Sequence, residues 1–398
     1  MNTVDTNICQ SAYEEAEMIR SAVTEFMHAI CKAIGECENE MNCMPVLVGS
    51  AKENTRSFAP DEYDFLIVFE AITQYFDINE ILGQFLFRLK PSFERTCANI
   101  SYLTEYENIK YLNPHDFRKR LNSIVCRIMH MDVSSLWKPI QIPLNASRTG
   151  YHLSRDSRLT INPVGFYTEK PGFSTINLEW KGNYFRSMQI NVDIVPAFPY
   201  NETITLPHHD FISGFEQLYI IVHGYPIGYQ FGFSAIENGL ILSLPPYVQE
   251  GYRYAKAMRC AFVLSGTTEL EQINNYEDLI TSYMLKTSLF FVTRDSVRNY
   301  SSHSTNPIHW AMRIYTKLQE FLEEHGRVPN FFLNDENKED RECLFRINPK
   351  QIYLRVRERR NMLLAIETIL DFLRAKVKTF HISILFEPIS ISILNSNI

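Results

Sequence analysis

Glycine is scarce in this chain, at 15 of 398 residues. Folds built on many glycine-rich turns are therefore disfavoured. The glycine-rich phosphate-binding motif of the P-loop NTPases is absent, and that class is excluded. No uncharged apolar stretch approaches the ~20 residues of a membrane helix. The N-terminus, MNTVDTNICQ, lacks a basic stretch leading into an apolar run, so no signal peptide is expected. The eight cysteines include no Cys-x-x-Cys pair. A cytoplasmic protein with reduced thiols and no membrane partner follows as the expectation. The four Asn-x-Ser/Thr sequons, Asn145-Ala-Ser among them, are then chance matches. Positive charge is also lacking: the net charge is −7. The surface as a whole is no polyanion binder, although a local basic patch remains compatible with that balance.

What is present is the composition of a folded protein. Hydrophobic residues make up 45% and charged residues 21%, which disfavours disorder and low complexity. A chain of 398 residues is too long for one ordinary core, so two lobes are expected. Ser11-Ala-Tyr-Glu14 reads as a capping box. After it, Ala12, Ala16, Ile19, Val23, Phe26, Ile30 and Ile34 recur at spacings of three and four, with Gly35 as a stop. One long amphipathic helix is predicted there. Two short apolar segments follow, Val46–Val48 and Phe65–Phe69. Residues 81–121 read as mixed helix and loop. Residues 175–195 read as a hairpin turning at Lys181-Gly-Asn. Within it Met188, Ile190, Val192 and Ile194 alternate with Gln189, Asn191, Asp193 and Val195, which sends Asp193 to the face opposite the isoleucines. From about Ile236 the pattern turns helical, most clearly at Tyr276–Phe291, Ile308–His325 and Arg357–Val377. The class is α+β. The Ile/Ser-alternating tail is assigned no function.

The stretch VLVGSAKENTRSFAPDEYDFLIVFE, Val46–Glu70, carries chemistry. Glu62 and Asp64 stand at i and i+2, so in a strand both carboxylates leave one face. Two like charges that close repel, and a divalent cation is the usual compensation. Mg²⁺ takes hard oxygen ligands and shares the rest of its shell with water and substrate phosphates. A third carboxylate on a neighbouring strand, Asp193, would complete a two-metal site for in-line phosphoryl displacement. Gly49-Ser50 ends the preceding strand; glycine allows close backbone approach, and the serine hydroxyl and amide can hold a phosphate. Read alone, the Glu62/Asp64 pair could equally be an exposed strand end after the turn Ala59-Pro60-Asp61. The full pattern of Gly-Ser, Glu-x-Asp and a later Val-Asp strand is much more specific.

Those residues carry a resemblance. Gly49-Ser50, Glu62-Tyr-Asp64 in PDEYDFLIVFE, and Val192-Asp193 in INVDIVPAF look like the metal-binding core of the cyclic GMP-AMP synthase-like receptors and their male-abnormal relatives. ITSYMLKTSLFF, Ile280–Phe291, is similar to the family's helix motif in the second lobe. The resemblance spans roughly residues 10 to 375. It implies a bilobal nucleotidyltransferase fold: a mixed-sheet lobe with a long spine helix over 1–212, a helical lobe over 213–380, and a tail over 381–398. The active cleft would lie between the lobes. It further implies that ATP and a second NTP are joined into a cyclic dinucleotide, an innate immune messenger, after a double-stranded nucleic acid is sensed. In that picture Glu62, Asp64 and Asp193 hold two Mg²⁺ or Mn²⁺ ions. Ser50 binds the donor triphosphate, and Lys256 in YAKAMR matches a phosphate-contacting lysine. Ser282 and Tyr283 match positions that hold and stack on the donor nucleotide, and Tyr283 offers a flat face for a base. FSAIENGLI places Glu237 near the acceptor.

Three departures qualify the picture. The arginine that reads guanine in cyclic GMP-AMP synthase falls on Gln230, a neutral amide, so a product other than cyclic GMP-AMP is expected. No Cys or His lies between Glu237 and Lys256, where that enzyme carries a zinc-bearing insertion, so no zinc is expected and an RNA activator is favoured over DNA. The predicted spine helix is acidic on part of its outer face, at Glu14, Glu15 and Glu17. Basic clusters occur at Arg118-Lys119-Arg120 and at Arg355, Arg357, Arg359 and Arg360; they read as solvated helix faces unless they bind a duplex. His208-His209-Asp210 reads as a solvated loop, and Trp137, Trp180 and Trp310 as core. Without the family match Tyr283 would read as core lining. The rival functions are a catalytically silent scaffold or nucleic-acid-binding member of the same family, and a template-independent RNA-tailing polymerase.

Overall fold

The computed structural model describes residues 3–55, 59–81, 84–97, 100–130, 156, 158–167, 174–201, 208, 211, 217–223, 228–261, 280–299, 305–332 and 349–379. The chain is α+β and divides into two compact units, Met1–Ser243 and Leu244–Ile398. The expected boundary at 212/213 falls inside the first unit, where strands on both sides of it are hydrogen-bonded together.

The first unit opens with helix α1, Thr3–Cys37. It runs past both expected ends: Ser11 lies inside it, and Gly35 has no positive φ and so does not act as a left-handed stop. Its apolar stripe is the predicted one, with Ile19, Val23, Phe26, Ile30 and Ile34 all buried. The strands β1 (Met44–Val48) and β2 (Glu62–Val68) follow, with the short helix α2 (Gly49–Glu53) between them. After α3 (Glu70–Thr73) come β3 (Phe76–Ile81), β4 (Gln84–Leu89), β5 (Leu103–Tyr106) and β6 (Ile109–Leu112). These form a separate four-stranded sheet of order β3-β4-β6-β5, which corrects the reading of 81–121 as helix and loop. The period-two signal was present: Phe85, Phe87 and Leu89 are buried, while Leu86 between them is exposed. Helix α4, Pro114–His130, starts within that stretch. Asn113 accepts from the amides of His115 and Asp116 at 2.9 and 3.1 Å, and proline fills the first helical position.

The main sheet has seven strands. It adds β7 (Leu159–Tyr167), β8 (Ser174–Trp180), β9 (Met188–Tyr200), β10 (Leu218–His223) and β11 (Gly228–Gly232). The β8–β9 hairpin forms as predicted, pairing Thr175 with Asp193. One edge of β9 is occupied by β2 in parallel, the other by β8 and, further along, by β10. Phe198 on β9 meets the rings of Phe69, Phe87, Phe117 and Tyr229, which ties strands, α4 and the small sheet into one core. The unit ends with α5, Ser234–Ser243.

The second unit is helical among the described residues: α6 (Pro246–Ala261), α7 (Ser282–Asn299), α8 (Pro307–His325) and α9 (Pro349–Thr379). Helix α8 is central, packing on α6, α7 and α9. It is capped by Asn306 and closed by left-handed Gly326. Trp180 and Trp310 are buried, as expected. Trp137, Cys343, His209, Asp210, residues 276–279 of the predicted helix and the tail lie outside the described residues.

Candidate metal centre

Burial rises along β2. Glu62 is exposed, Asp64 is half-buried, and Phe65–Val68 are buried. Asp64, Leu66 and Val68 share one face by strand alternation. On that face Leu66 and Val68 join Val48, Ala197 and Tyr219 in an apolar cluster, with Ala235 of α5 packed against it. A core strand can therefore carry two acids: they sit at the end of the face where this cluster gives way to the surface.

The third acid arrives by parallel pairing. Asp64 stands directly opposite Asp193, and Glu62 opposite Asn191. Ligand oxygens of Glu62, Asp64 and Asp193 all lie within 4.8 Å of one another. At an effective dielectric constant of about 20, each such pair of charges repels by roughly 3–4 kcal/mol. That exceeds the ~1 kcal/mol of an ordinary hydrogen bond, and a cation placed there would relieve it. The donor set is all carboxylate oxygen from two adjacent strands, which suits Mg²⁺ or Mn²⁺ and leaves room for water and phosphate oxygens. On this test the residues fit the ion that the sequence implied.

Gly49 turns the chain at this spot. Its φ is +70°, and a Cβ built there would lie 2.3 Å from Oδ2 of Asp64. Any other residue would displace that carboxylate. The Gly49 amide donates to Oδ1 of Asn238 on α5 at 3.1 Å. Ser50 follows, and its carbonyl accepts from the Thr55 amide at 3.2 Å, closing α2. Glu237, beside Asn238, is buried. Asn238 was not singled out from sequence, although it lies in the same ENG triplet as Glu237.

The hairpin that delivers Asp193 is held by an unexpected residue. Glu15 is not on the outer face of α1 but is only 6% exposed. Its carboxylate accepts from Trp180 Nε1 at 2.9 Å and from the amides of Asn183, Tyr184 and Phe185 at 3.1, 2.8 and 3.0 Å. Burial pushes its pKa up, but the hydrogen bonds from Tyr184, Trp180, Phe185 and Asn183 together outweigh that and leave it lowered. A Cβ on Gly182 would fall 1.8 Å from the same carboxylate, so the turn is shaped to the acid.

Lys256, Ser282 and Tyr283 belong to the second unit. Lys256 is buried, with Nζ 5.6 Å from the centre of the Tyr252 ring. Arg259 donates to the Ser282 hydroxyl at 3.1 Å, and the Tyr252 hydroxyl to the Ser282 carbonyl at 3.4 Å. Tyr283 is 46% exposed, so it does not line the core. Tyr252 and Arg259 are the partners sequence reasoning missed. The basic clusters are partly spent within the protein. Arg120 pairs with Glu38, and Arg359 donates to the Glu323 carbonyl near the end of α8 at 2.8 Å. Burial lowers the pKa of Arg118. Gln230, on β11, is half-buried.

Compared with known proteins, the chain matches no protein-family model and no curated protein. Among the described residues no helix is long and apolar enough to cross a membrane.

Proposed function

We propose that this chain is a Mg²⁺- or Mn²⁺-dependent nucleotidyltransferase with the bilobal architecture of the cyclic GMP-AMP synthase-like receptors. It joins ATP and a second NTP into a cyclic dinucleotide. The observation that supports this most directly is the convergence of Glu62, Asp64 and Asp193 beside the Gly49-Ser50 turn. Bound ions would be held by these three carboxylates, and would supply charge neutralisation at the phosphates and activation of the attacking hydroxyl. The Gly49-Ser50 turn receives the donor triphosphate. By the resemblance, Lys256 matches a phosphate-contacting lysine, Ser282 and Tyr283 the positions that hold and stack on the donor nucleotide, and Glu237 a position near the acceptor. Gln230 in place of a charged fork leads to a product other than cyclic GMP-AMP. A double-stranded nucleic acid, RNA rather than DNA, shifts an otherwise inactive population to the competent state.

The test is pyrophosphate release and product analysis with all four NTPs, Mg²⁺ or Mn²⁺, and a panel of duplex RNAs and DNAs. A cyclic product lost in Asp193→Asn supports the reading. Linear tails on an RNA primer would convert it to an RNA-tailing polymerase. Silence across the panel, with metal binding also absent, would leave a scaffold.

A further inference from the structure

The row of side chains across the main sheet extends one strand beyond the acids. Thr175 on β8 lies opposite Asp193 on β9, which lies opposite Asp64 on β2. Cross-strand partners project to the same face, so Thr175, Asp193 and Asp64 form one line. The Thr175 hydroxyl donates to Oδ1 of Asp193 at 2.5 Å. That length belongs to a hydrogen bond from a hydroxyl to a charged carboxylate. We infer that Thr175 is a positioning residue for the metal centre: by engaging one oxygen of Asp193 it fixes the rotation of the carboxylate and orients it for the ion shared with Glu62 and Asp64.

This rests on the proposed metal-binding reading of the three acids and deepens it. The terminal torsion of aspartate is broad and roughly two-fold, so packing alone fixes it poorly. Thr175 is itself well held. It is β-branched, which restricts its own rotation, and Ser174 and Ile176 on either side are buried. Its hydroxyl is thus presented from a rigid strand rather than a loop. Outer partners of metal ligands act in this way, and losing one typically weakens metal affinity about 10- to 100-fold. A merely structural threonine on β8 would give no such dependence.

The experiment titrates the full chain with Mn²⁺ alone, following free Mn²⁺ by electron paramagnetic resonance, in wild type, Thr175→Val, Thr175→Ser and Asp193→Asn. Valine keeps the branched shape and removes the donor; serine keeps the donor. The expected result is a 10- to 100-fold loss of affinity in Thr175→Val, near wild-type affinity in Thr175→Ser, and the greatest loss in Asp193→Asn. Thermal melting without metal serves as the folding control, and Thr175→Ala replaces Thr175→Val should valine fail to fold. Equal affinity in wild type and in the donor-less variant overturns the inference while leaving the metal centre standing. No Mn²⁺ binding by folded wild type overturns the metal reading, and the inference with it.

Discussion

Two acidic places in the first unit invite comparison. At Glu15 one carboxylate sits in a pocket of donors, an indole and three backbone amides. At β2 and β9 three carboxylates face one another within 4.8 Å. The first arrangement satisfies a buried charge and makes it a structural rivet. The second concentrates charge of one sign, which on the proposed reading a cation would balance. An acid's role is thus read from what converges on it, donors or other acids, and not from burial alone: Glu15 is the more buried of the two kinds and the less suited to chemistry.

The largest expected effect breaks the comparison on the catalytic side. Replacing Glu62 and Asp64 together by alanine abolishes turnover in the pyrophosphate assay. The same change removes mutual repulsion, so the melting temperature without metal is unchanged or slightly higher. Mg²⁺ at ten times its dissociation constant stabilises wild type by about 1.4 kcal/mol through mass action, and the double variant loses that response. A large drop in the melting temperature of the metal-free double variant would show the pair to be structural, like Glu15.

Next in size is Glu15 itself. Glu15→Ala leaves four donors to find water, and hydrogen bonds to a charged group are worth about 1.5–3 kcal/mol each, not additively. A loss of roughly 3 kcal/mol in urea unfolding is expected, with Mn²⁺ affinity little changed where the protein remains folded. The pH dependence has a definite sign. The folded pKa of Glu15 lies below its ordinary value of 4.5, so the unfolded chain takes up this proton first as pH falls. The contribution is complete well above pH 4.5 and is lost as pH drops through that value towards the lowered one. The stability gap between wild type and Glu15→Gln therefore narrows below about pH 4.5 and is constant near neutrality.

This contrast also shows what could be read from the chain alone. The i, i+2 spacing of Glu62 and Asp64, the β8–β9 hairpin and the stripe of α1 are local periodicities, and each is visible in a short window. The pairing of Asp64 with Asp193 is not local. It follows from a parallel register between strands distant in sequence, which no periodicity encodes; the demand of a two-metal site for a third carboxylate, and then the resemblance, are what joined them. Glu15 was misplaced for a related reason. Its partners are mostly backbone amides, which have no sequence signature, and its helical position next to Glu14 and Glu17 resembles a solvated face. The β3–β6 sheet was missed although Phe85, Phe87 and Leu89 alternate, because four-residue strands such as β5 and β6 give little pattern to count.

A smaller effect sharpens the comparison at the Gly49 turn. Asn238→Ala removes the acceptor of the Gly49 amide. The cost in stability is about 1 kcal/mol, and the KM for the donor NTP rises severalfold with a lesser change in kcat. A change confined to kcat would mean that Asn238 serves the reacting atoms rather than the turn. Gly49→Ala is harsher, since a Cβ at 2.3 Å from Asp64 Oδ2 must displace a carboxylate of the proposed metal centre. It reduces Mn²⁺ affinity as well as turnover, which Asn238→Ala does not.

The smallest effect concerns the basic residues of α4, where charge is again judged by its partners. Arg120 is engaged by Glu38 and Arg118 is partly withdrawn from water, so this cluster offers less to a phosphate backbone than its sequence implies. A contact to one phosphate contributes about one unit to the slope of log affinity against log salt. Arg120→Ala is therefore expected to change duplex RNA affinity less than about threefold and to leave that slope unaltered, measured by fluorescence anisotropy at several salt concentrations. Its cost to stability is about 1 kcal/mol, the upper end of the range for surface ion pairs, because Arg120 and Glu38 are both half-buried. A tenfold loss of affinity with a slope shallower by one would show that Arg120 leaves Glu38 for the nucleic acid. The α4 face, rather than α9, would then carry the activator.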